Sequence, residues 1–489
     1  MSISSCVNKT AVQKKPLILT GVKKYIFIKN IFFIITTKRG SSMPVSTNQG
    51  MLSIQDMVDK TGTRRGQLLL LLLCALCLMC DGFDIQAMGY AAPAIRDAWS
   101  LETALLGPVF SAGLAGIAIG GFSLGWLADR IGRRPSIISA TLIFGVFTLC
   151  SAFAQNVTQL TVFRFLAGIA LGGVMPNCIA LVVEYSPLRR RATYITTISC
   201  FFAIGGGLGG VAAALLIPQV GWRALFMLGG ILPIILAMIL WVYLPESAQW
   251  MLRYGKGKKA IRSTLLKVFS EQQVMTVDLS IGDVGSARVK VTVVDLFRDN
   301  RATFTLLLWL VNFMNLIDLY FLANWLPTLI KDAGLSLEIA NLATGALQFG
   351  GVLGTLALGR LIDKFGAYVV LITGFSIAAL SIAAIGFDPK NLLMLFSSIF
   401  VTGIFVVGGM PGVNTLSANG YPTILRSTGV GWGLGIGRGA SMLGPLLGAA
   451  LIARHWMASG LLLLAAVPAV ISALAVWGIW LQKRESHYD

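Results

Sequence analysis

The residues with the strongest claim to chemistry are two aspartates in the stretch Cys80-Asp81-Gly82-Phe83-Asp84-Ile85-Gln86. They interrupt an apolar run from about Gln67 to Ile95, long enough to cross a bilayer as one helix. A charge at the bilayer centre costs roughly 2.5–3.5 kcal/mol, and residues three apart share a helix face. Two carboxylates on that face must look into protein or a water-filled cavity, beside a cation, a proton or a polar substrate. A buried carboxyl can hold a proton at neutral pH. The two histidines, His455 and His487, lie near a segment end and in the tail. Candidates for a coupled proton are therefore Asp84, then Asp81, then Asp318. For Asp81 a fixed ion pair with Arg164 is the alternative.

Two arginines answer these acids. Arg438 lies mid-segment in a glycine-dense stretch, away from both interfaces. A guanidinium binds a carboxylate bidentately, so Arg438 is the candidate anchor for an anionic substrate; the alternative is a permanent pair with Asp318 or another acid. Arg164 opens Arg164-x-x-x-Gly168-x-x-x-Gly172, whose glycines admit a neighbouring backbone. It either partners the first-segment carboxylates or snorkels to the surface. Asn315, Tyr320, Asn324 and Trp325 share one later segment. Amides and aromatic faces suit a hydroxylated ring acid, although such aromatics also serve packing and interfacial belts.

The elements that must position these residues are membrane helices. Of 489 residues, 56% are hydrophobic and 12% charged, with mean hydropathy +0.78; soluble domains carry about 25% charged residues. Twelve apolar segments span about 67–92, 104–128, 136–155, 158–184, 193–217, 222–244, 303–330, 338–361, 367–387, 391–417, 426–453 and 457–481. Loops after segments 2, 4, 6, 8 and 10 and the tail hold 3, 3, 10, 2, 1 and 2 Lys/Arg, counting their edges; the alternate loops hold one each. That asymmetry places both termini in the cytoplasm. It also explains the net charge of +18 without nucleic acid. The connection 245–302 divides an N-terminal six-helix bundle, 67–244, from a C-terminal one, 303–481, and is expected to form short amphipathic helices. Residues 1–66 read as a disordered cytoplasmic tail, or as an over-long start with the true one at Met43 or Met51; 482–489 form the other tail. Cys74, Cys77 and Cys80 read as small apolar filler rather than metal ligands. No Walker-type loop, nucleophile–base set or cofactor motif occurs, so the expectation is neither a pump nor an enzyme, with no cofactor and no metal.

The two halves repeat. Gly125-Trp-Leu-Ala-Asp129-Arg130-Ile-Gly132 matches Gly359-Arg-Leu-Ile-Asp363-Lys364-Phe-Gly366 at an offset of 234, and Met175-Pro176 matches Met410-Pro411 at 235. Asp84 falls on Asp318, Asp81 on Asn315 and Pro93 on Pro327. Same-sense repeats predict two bundles related by an axis along the membrane normal, with a substrate site between them.

The loop Gly125-x-x-x-Asp129-Arg130-x-Gly132-Arg133-Arg134, with its weaker copy at Asp363, resembles the signature loop of the major facilitator superfamily. Within it, Asp81-Gly82-Phe83-Asp84 is similar to the D-G-x-D motif of the aromatic acid:proton symporter family. Pro245-Glu246-Ser247, Asn324-Trp325-Leu326-Pro327 and Gly429-x-Gly431-Trp432-x-x-Gly435-x-Gly437-Arg438 add to the likeness, which covers about 60–481. The resemblance implies a gating role for the loop (Gly125, Asp129, Arg130, Gly132, Arg133, Asp363) and transport roles for Asp81, Asp84, Arg164 and Arg438. Glu184 is expected to pair with Arg189–Arg191.

The sequence thus predicts an all-α membrane protein of twelve helices that imports an aromatic carboxylate with a proton by alternating access, as a monomer in lipid. The alternatives are a porter of a non-aromatic acid such as muconate or shikimate, a sugar porter, or a non-transporting sensor of aromatic acids. The helix 11 arginine favours an acid over a sugar.

Overall fold

A computed structural model describes residues 53–61, 65–277, 279, 292–299 and 301–485. Among the described residues, twelve helices are long and apolar enough to cross a membrane. In the N-terminal half these are α1 (Arg65–Trp99), α2 (Leu106–Ile131), α3 (Arg133–Ala152), α4 (Val157–Glu184), α5 (Arg191–Val220) and α6 (Trp222–Tyr243). In the C-terminal half they are α7 (Ala302–Asp332), α8 (Leu337–Phe365), α9 (Ala367–Phe387), α10 (Leu392–Val406, resumed as Met410–Gly420), α11 (Arg426–Ile452) and α12 (Ala458–Glu485).

Local chemistry sets the boundaries. Asn156, Ser336 and Asn391 cap α4, α8 and α10 by accepting from backbone N–H groups of the first turn. Gly132, Gly221 and Gly366 take positive φ of 106°, 90° and 84° and make the tight reversals after α2, α5 and α8. α1 runs on through Pro93 to Trp99, past the predicted end at 92, because the charges that closed the apolar pattern are held. Arg96 Nη1 lies 2.7 Å from Asp332 Oδ1, and Lys331 pairs with Asp97. α10 breaks at Gly408-Gly409 rather than running unbroken over 391–417.

Glycines fix how helices meet, in two copies. A Cβ at Gly116 would stand 2.3 Å from Phe165 O and one at Gly120 1.9 Å from Ile169 O, so α2 and α4 touch backbone to backbone. Gly350 and Gly354 meet Phe400 O and Ile404 O at 2.1 Å each. The contacts repeat at offsets of 234 and 235, so Ile399 of α10 is the structural counterpart of Arg164.

Between the halves lie the helices Ala248–Arg253, Lys258–Leu266 and Glu271–Met275. Met251, Ile261, Leu265, Phe269 and Val274 share a core with Ile54, Met57 and Val58. Those last three belong to a helix, Ile54–Lys60, started by a capping box of Ser53 and Asp56. The expectation of a disordered tail over 1–66 is therefore corrected at 54–60, where apolar residues and the bond from Leu188 N to Asp59 Oδ1 (2.8 Å) secure the chain. Residues 1–52 lie outside the described residues.

The bundles meet along three seams, tightest at the end opposite the linker. Gly89 of α1 abuts Ala323 O of α7, Gly107 of α2 abuts Ala449 of α11, and Gly210 of α5 abuts Asn341 O of α8, with added Cβ distances of 2.5, 2.3 and 2.7 Å. Ser111 Oγ donates to Met442 O at 2.9 Å, and Phe110 meets Trp325 edge to face at 5.2 Å. At the linker end, Gly125 of α2, Gly359 of α8, and Gly431 and Gly435 of α11 would have nothing within 4 Å of a Cβ. The seams are thus closest at the end opposite the linker, while these four glycines at the linker end face open space.

Candidate functional site

Asp84 and Asp81 sit mid-way along α1, 1% and 3% exposed. α1 is held against α5 by backbone contact at Gly82 with Phe202 O and at Gly205 with Met79 O, which fixes its rotation. Asp84 faces α3 and α4. Arg164 Nη2 donates to both its oxygens at 3.0 and 3.2 Å. Thr148 Oγ1 donates to Asp84 Oδ1 at 2.5 Å and accepts from Arg164 Nη2 at 2.8 Å. The guanidinium also lies 5.3 Å from the Phe226 ring. Arg164 is thus buried and paired, not snorkelling. The acid that takes it is Asp84, where sequence reasoning had offered Asp81 as the fixed partner and Asp84 as the leading proton carrier. Thr148 was missed, since a lone threonine two helices away leaves no pattern.

Asp318 occupies the repeated position in α7 and is 1% exposed. Neither of its oxygens has a hydrogen-bond partner among the described residues. Where Arg164 stands in the other bundle there is Ile399, fully buried. The expected alternative of an Arg438–Asp318 pair is therefore not formed.

Arg438 is partly exposed and rests its guanidinium on Gly121 of α2, where a Cβ would stand 1.8 Å from Nη1. It shares a ridge of α11 with Gly431 and Gly435, whose Cβ positions are open. Arg438 and Asp84 act electrostatically on Asp81, and Arg438 and Asp81 act on Tyr320. Asp81, Tyr320 and Arg438 thus lie within electrostatic range of one another, with Asp81 Oδ1 unpartnered among the described residues. A guanidinium with no carboxylate bonded to it, beside open space, can take an anion.

The other expected contacts divide. Asn324 donates to Tyr320 O at 2.7 Å and lines a cavity of about 30 Å³ with Asp84, Met88, Phe110 and Arg164, space for a water or two and not for a ring. Asn315 Nδ2 meets Met410 Sδ at 3.5 Å, and its oxygen is unpartnered. Trp325, expected as a ring contact, is wholly buried and donates Nε1 to Pro445 O at 3.0 Å; here it is a packing residue in the seal.

The loop after α2 is a closed network. Asp129 pairs with Arg133 at 2.7 Å, Arg133 Nη1 donates to Asn177 Oδ1 at 3.1 Å, and Arg130 stacks 3.8 Å from the Trp126 ring. Glu246 Oε1 accepts from the N–H groups of Arg133 and Arg134 at 2.8 and 3.1 Å, an acid at a helix N-terminus. Glu184 accepts from Ser247 Oγ, with Arg133 and Arg253 as its cationic neighbours. This corrects the expected pairing with Arg189–Arg191. The copy at Asp363 is exposed. Cys74, Cys77 and Cys178 are buried free thiols, and no metal-binding group occurs among the described residues.

The chain is similar to known proteins along most of its length. Residues 74–293 and 308–489 match the family model of the Major Facilitator Superfamily. The chain is 37% identical to the 4-hydroxybenzoate transporter PcaK of Pseudomonas putida over 90% of this chain and 97% of that one. It is 36% identical to the gallate transporter of the same species, over 87% and 94%. Among solved structures, the inward-open xylose transporter XylE of E. coli superposes with a TM-score of 0.67 at 18% identity, over 84% of this chain and 95% of that one, which speaks to the fold.

Proposed function

The chain belongs to the major facilitator superfamily, among its aromatic acid transporters, and we propose that it imports an aromatic carboxylate together with a proton by alternating access. It is an integral membrane protein. On the charge asymmetry of its loops, both termini and the linker lie in the cytoplasm, so the end where the glycines face open space is the inner one; the membrane of this reading is the bacterial cytoplasmic membrane.

The observation that carries the reading is Arg438: a guanidinium resting on α2 of the other bundle, with no carboxylate bonded to it among the described residues and with open Cβ positions along its ridge. It anchors the substrate carboxylate. Asp81 makes the binding proton-linked. An ionised Asp81 already compensates Arg438, and a second carboxylate would place two anions around one cation. Protonating Asp81 removes that conflict, so anion and proton bind together and one of each makes the step electroneutral. Asp84 stays ionised in its pair with Arg164. Asp318 stays neutral through the cycle, because an ionised carboxylate there would have no counter-charge. Tyr320 and the unpartnered amide oxygen of Asn315 lie in reach of the ring. Rocking of the bundles over the glycine seams exposes the site alternately, with the Asp129–Arg133 network steadying the inner ends of α2 to α4 during gating and a single chain as the working unit.

The test is uptake of labelled 4-hydroxybenzoate by cells expressing the protein. Accumulation that a protonophore collapses supports the reading. Arg438→Ala should abolish uptake and Arg438→Lys should raise KM tenfold or more; unchanged KM and rate in both would remove Arg438 as the anchor.

A further inference from the structure

Two glutamines in apolar spans have no part in the mechanism above. Gln86 of α1 is 4% exposed and Gln348 of α8 is 2% exposed. They come from opposite bundles and meet over Gly206 of α5. A Cβ at Gly206 would lie 3.1 Å from Gln348 Cγ and 3.2 Å from Gln86 Cγ, so a side chain there would crowd both glutamines. The Gly206 carbonyl is occupied by the Tyr90 hydroxyl at 2.8 Å and does not serve the amides. Neither glutamine Oε1 has a hydrogen-bond partner among the described residues. Two turns along α8, Asn341 is fully buried with both side-chain polar atoms unpartnered.

Buried amides left without partners destabilise a seam, and apolar residues would close this one better. Their chemistry defines what they suit. An amide offers a donor and an acceptor side by side, which matches a hydroxyl. Its oxygen repels a carboxylate, and its polarity disfavours a bare ring edge. α1 presents Asp81 toward Arg438 and the α2/α11 seam, and Gln86 toward the α5/α8 seam. The two residues are five apart, about 7.5 Å of helix rise.

We infer that Gln86 and Gln348 form a hydroxyl subsite, which makes the substrate class hydroxylated aromatic acids rather than unsubstituted benzoates. This rests on the aromatic-carboxylate reading. A site built to bond a hydroxyl discriminates strongly against the analogue lacking it, because the analogue leaves its buried polar groups unpaired.

The experiment is counterflow in proteoliposomes containing the full chain, with labelled 4-hydroxybenzoate competed by 3-hydroxybenzoate, 4-hydroxybenzoate or benzoate. The native protein should prefer a hydroxylated acid over benzoate at least tenfold. Gln86→Leu and Gln348→Leu should each cut that ratio about tenfold, and the pair should bring it near unity. If a leucine variant does not elute as a folded monomer, Gln86→Asn or Gln348→Asn, which retracts the amide by one methylene, should lower the ratio in the same direction. Loss of both acids by the same factor, or an unchanged ratio, would overturn the subsite and leave the amides as seam residues. Equal transport of benzoate and hydroxybenzoates by the native protein would overturn this inference alone. No counterflow of any ring acid would instead overturn the function it rests on.

Discussion

In the N-terminal bundle Gly116 and Gly120 seat α4 on α2 in a register that brings Arg164 to Asp84. In the C-terminal bundle Gly350 and Gly354 seat α10 on α8 in the same register, and Ile399 stands where the arginine was. One fold thus carries its repeated carboxyl in two ways: triply bonded beside Arg164 at Asp84, without a partner among the described residues at Asp318. The backbone arrangement does not need the ion pair, since the second bundle packs without it. The pair is a local commitment, and removing half of it leaves a buried charge. Asp318 carries no such liability.

That contrast breaks most sharply at Arg164. Arg164→Ala leaves Asp84 buried without a cation and should destabilise by about 3–5 kcal/mol, read as lost monomer on size-exclusion chromatography. Adding Asp84→Asn, which makes this bundle resemble the other, should restore most of the folded yield. A single variant as stable as the native protein would show the pair to be dispensable. Thr148→Val deletes a hydroxyl bonded to both charged partners and should cost about 1.5–3 kcal/mol, seen as a lowered melting temperature in detergent. Asp318→Asn, near-isosteric with a neutral acid, should change stability by less than about 1 kcal/mol, a hydrogen bond's worth, and keep counterflow within about twofold. A collapse of pH-driven accumulation in that variant would move the coupled proton to Asp318. The smallest effect belongs to the seal: Lys331→Gln removes a partly exposed pair with Asp97 and should shift stability by about 0–1 kcal/mol, with a faster outward-facing transition in a cysteine-accessibility assay.

Much of this was legible in the sequence because it is periodic. Apolar length gives the spans, loop charge gives their sense, and the offset of 234–235 gives the two bundles. Arg164 was recognisable as a partner for the first-helix acids. Which acid it takes was not, because Asp81 and Asp84 differ only by helix rotation, and that rotation is set by the contact of α1 with α5 at Gly82 and Gly205. Thr148 and Gly121 were hidden for a related reason: their roles exist only once other helices dock. Gln86 and Gln348 did leave a signal, as amides inside apolar spans, but it names no role until the two meet over Gly206. Trp325 looked like a ligand contact and became packing, since the sequence does not reveal which side of α7 faces the seal.

The central claim is that an anion binds Arg438 only as Asp81 takes up a proton, with Asp84 and Arg164, Tyr320 and Cys80 as the neighbouring titratable or charged groups. It is tested most directly by measuring 4-hydroxybenzoate binding to the purified protein against pH, over a range where the ligand stays ionised. The account predicts affinity that rises as pH falls, approaching tenfold per unit, and affinity in Asp81→Asn that is high and flat with pH. Native affinity independent of pH, or an undiminished pH dependence in Asp81→Asn, would contradict it.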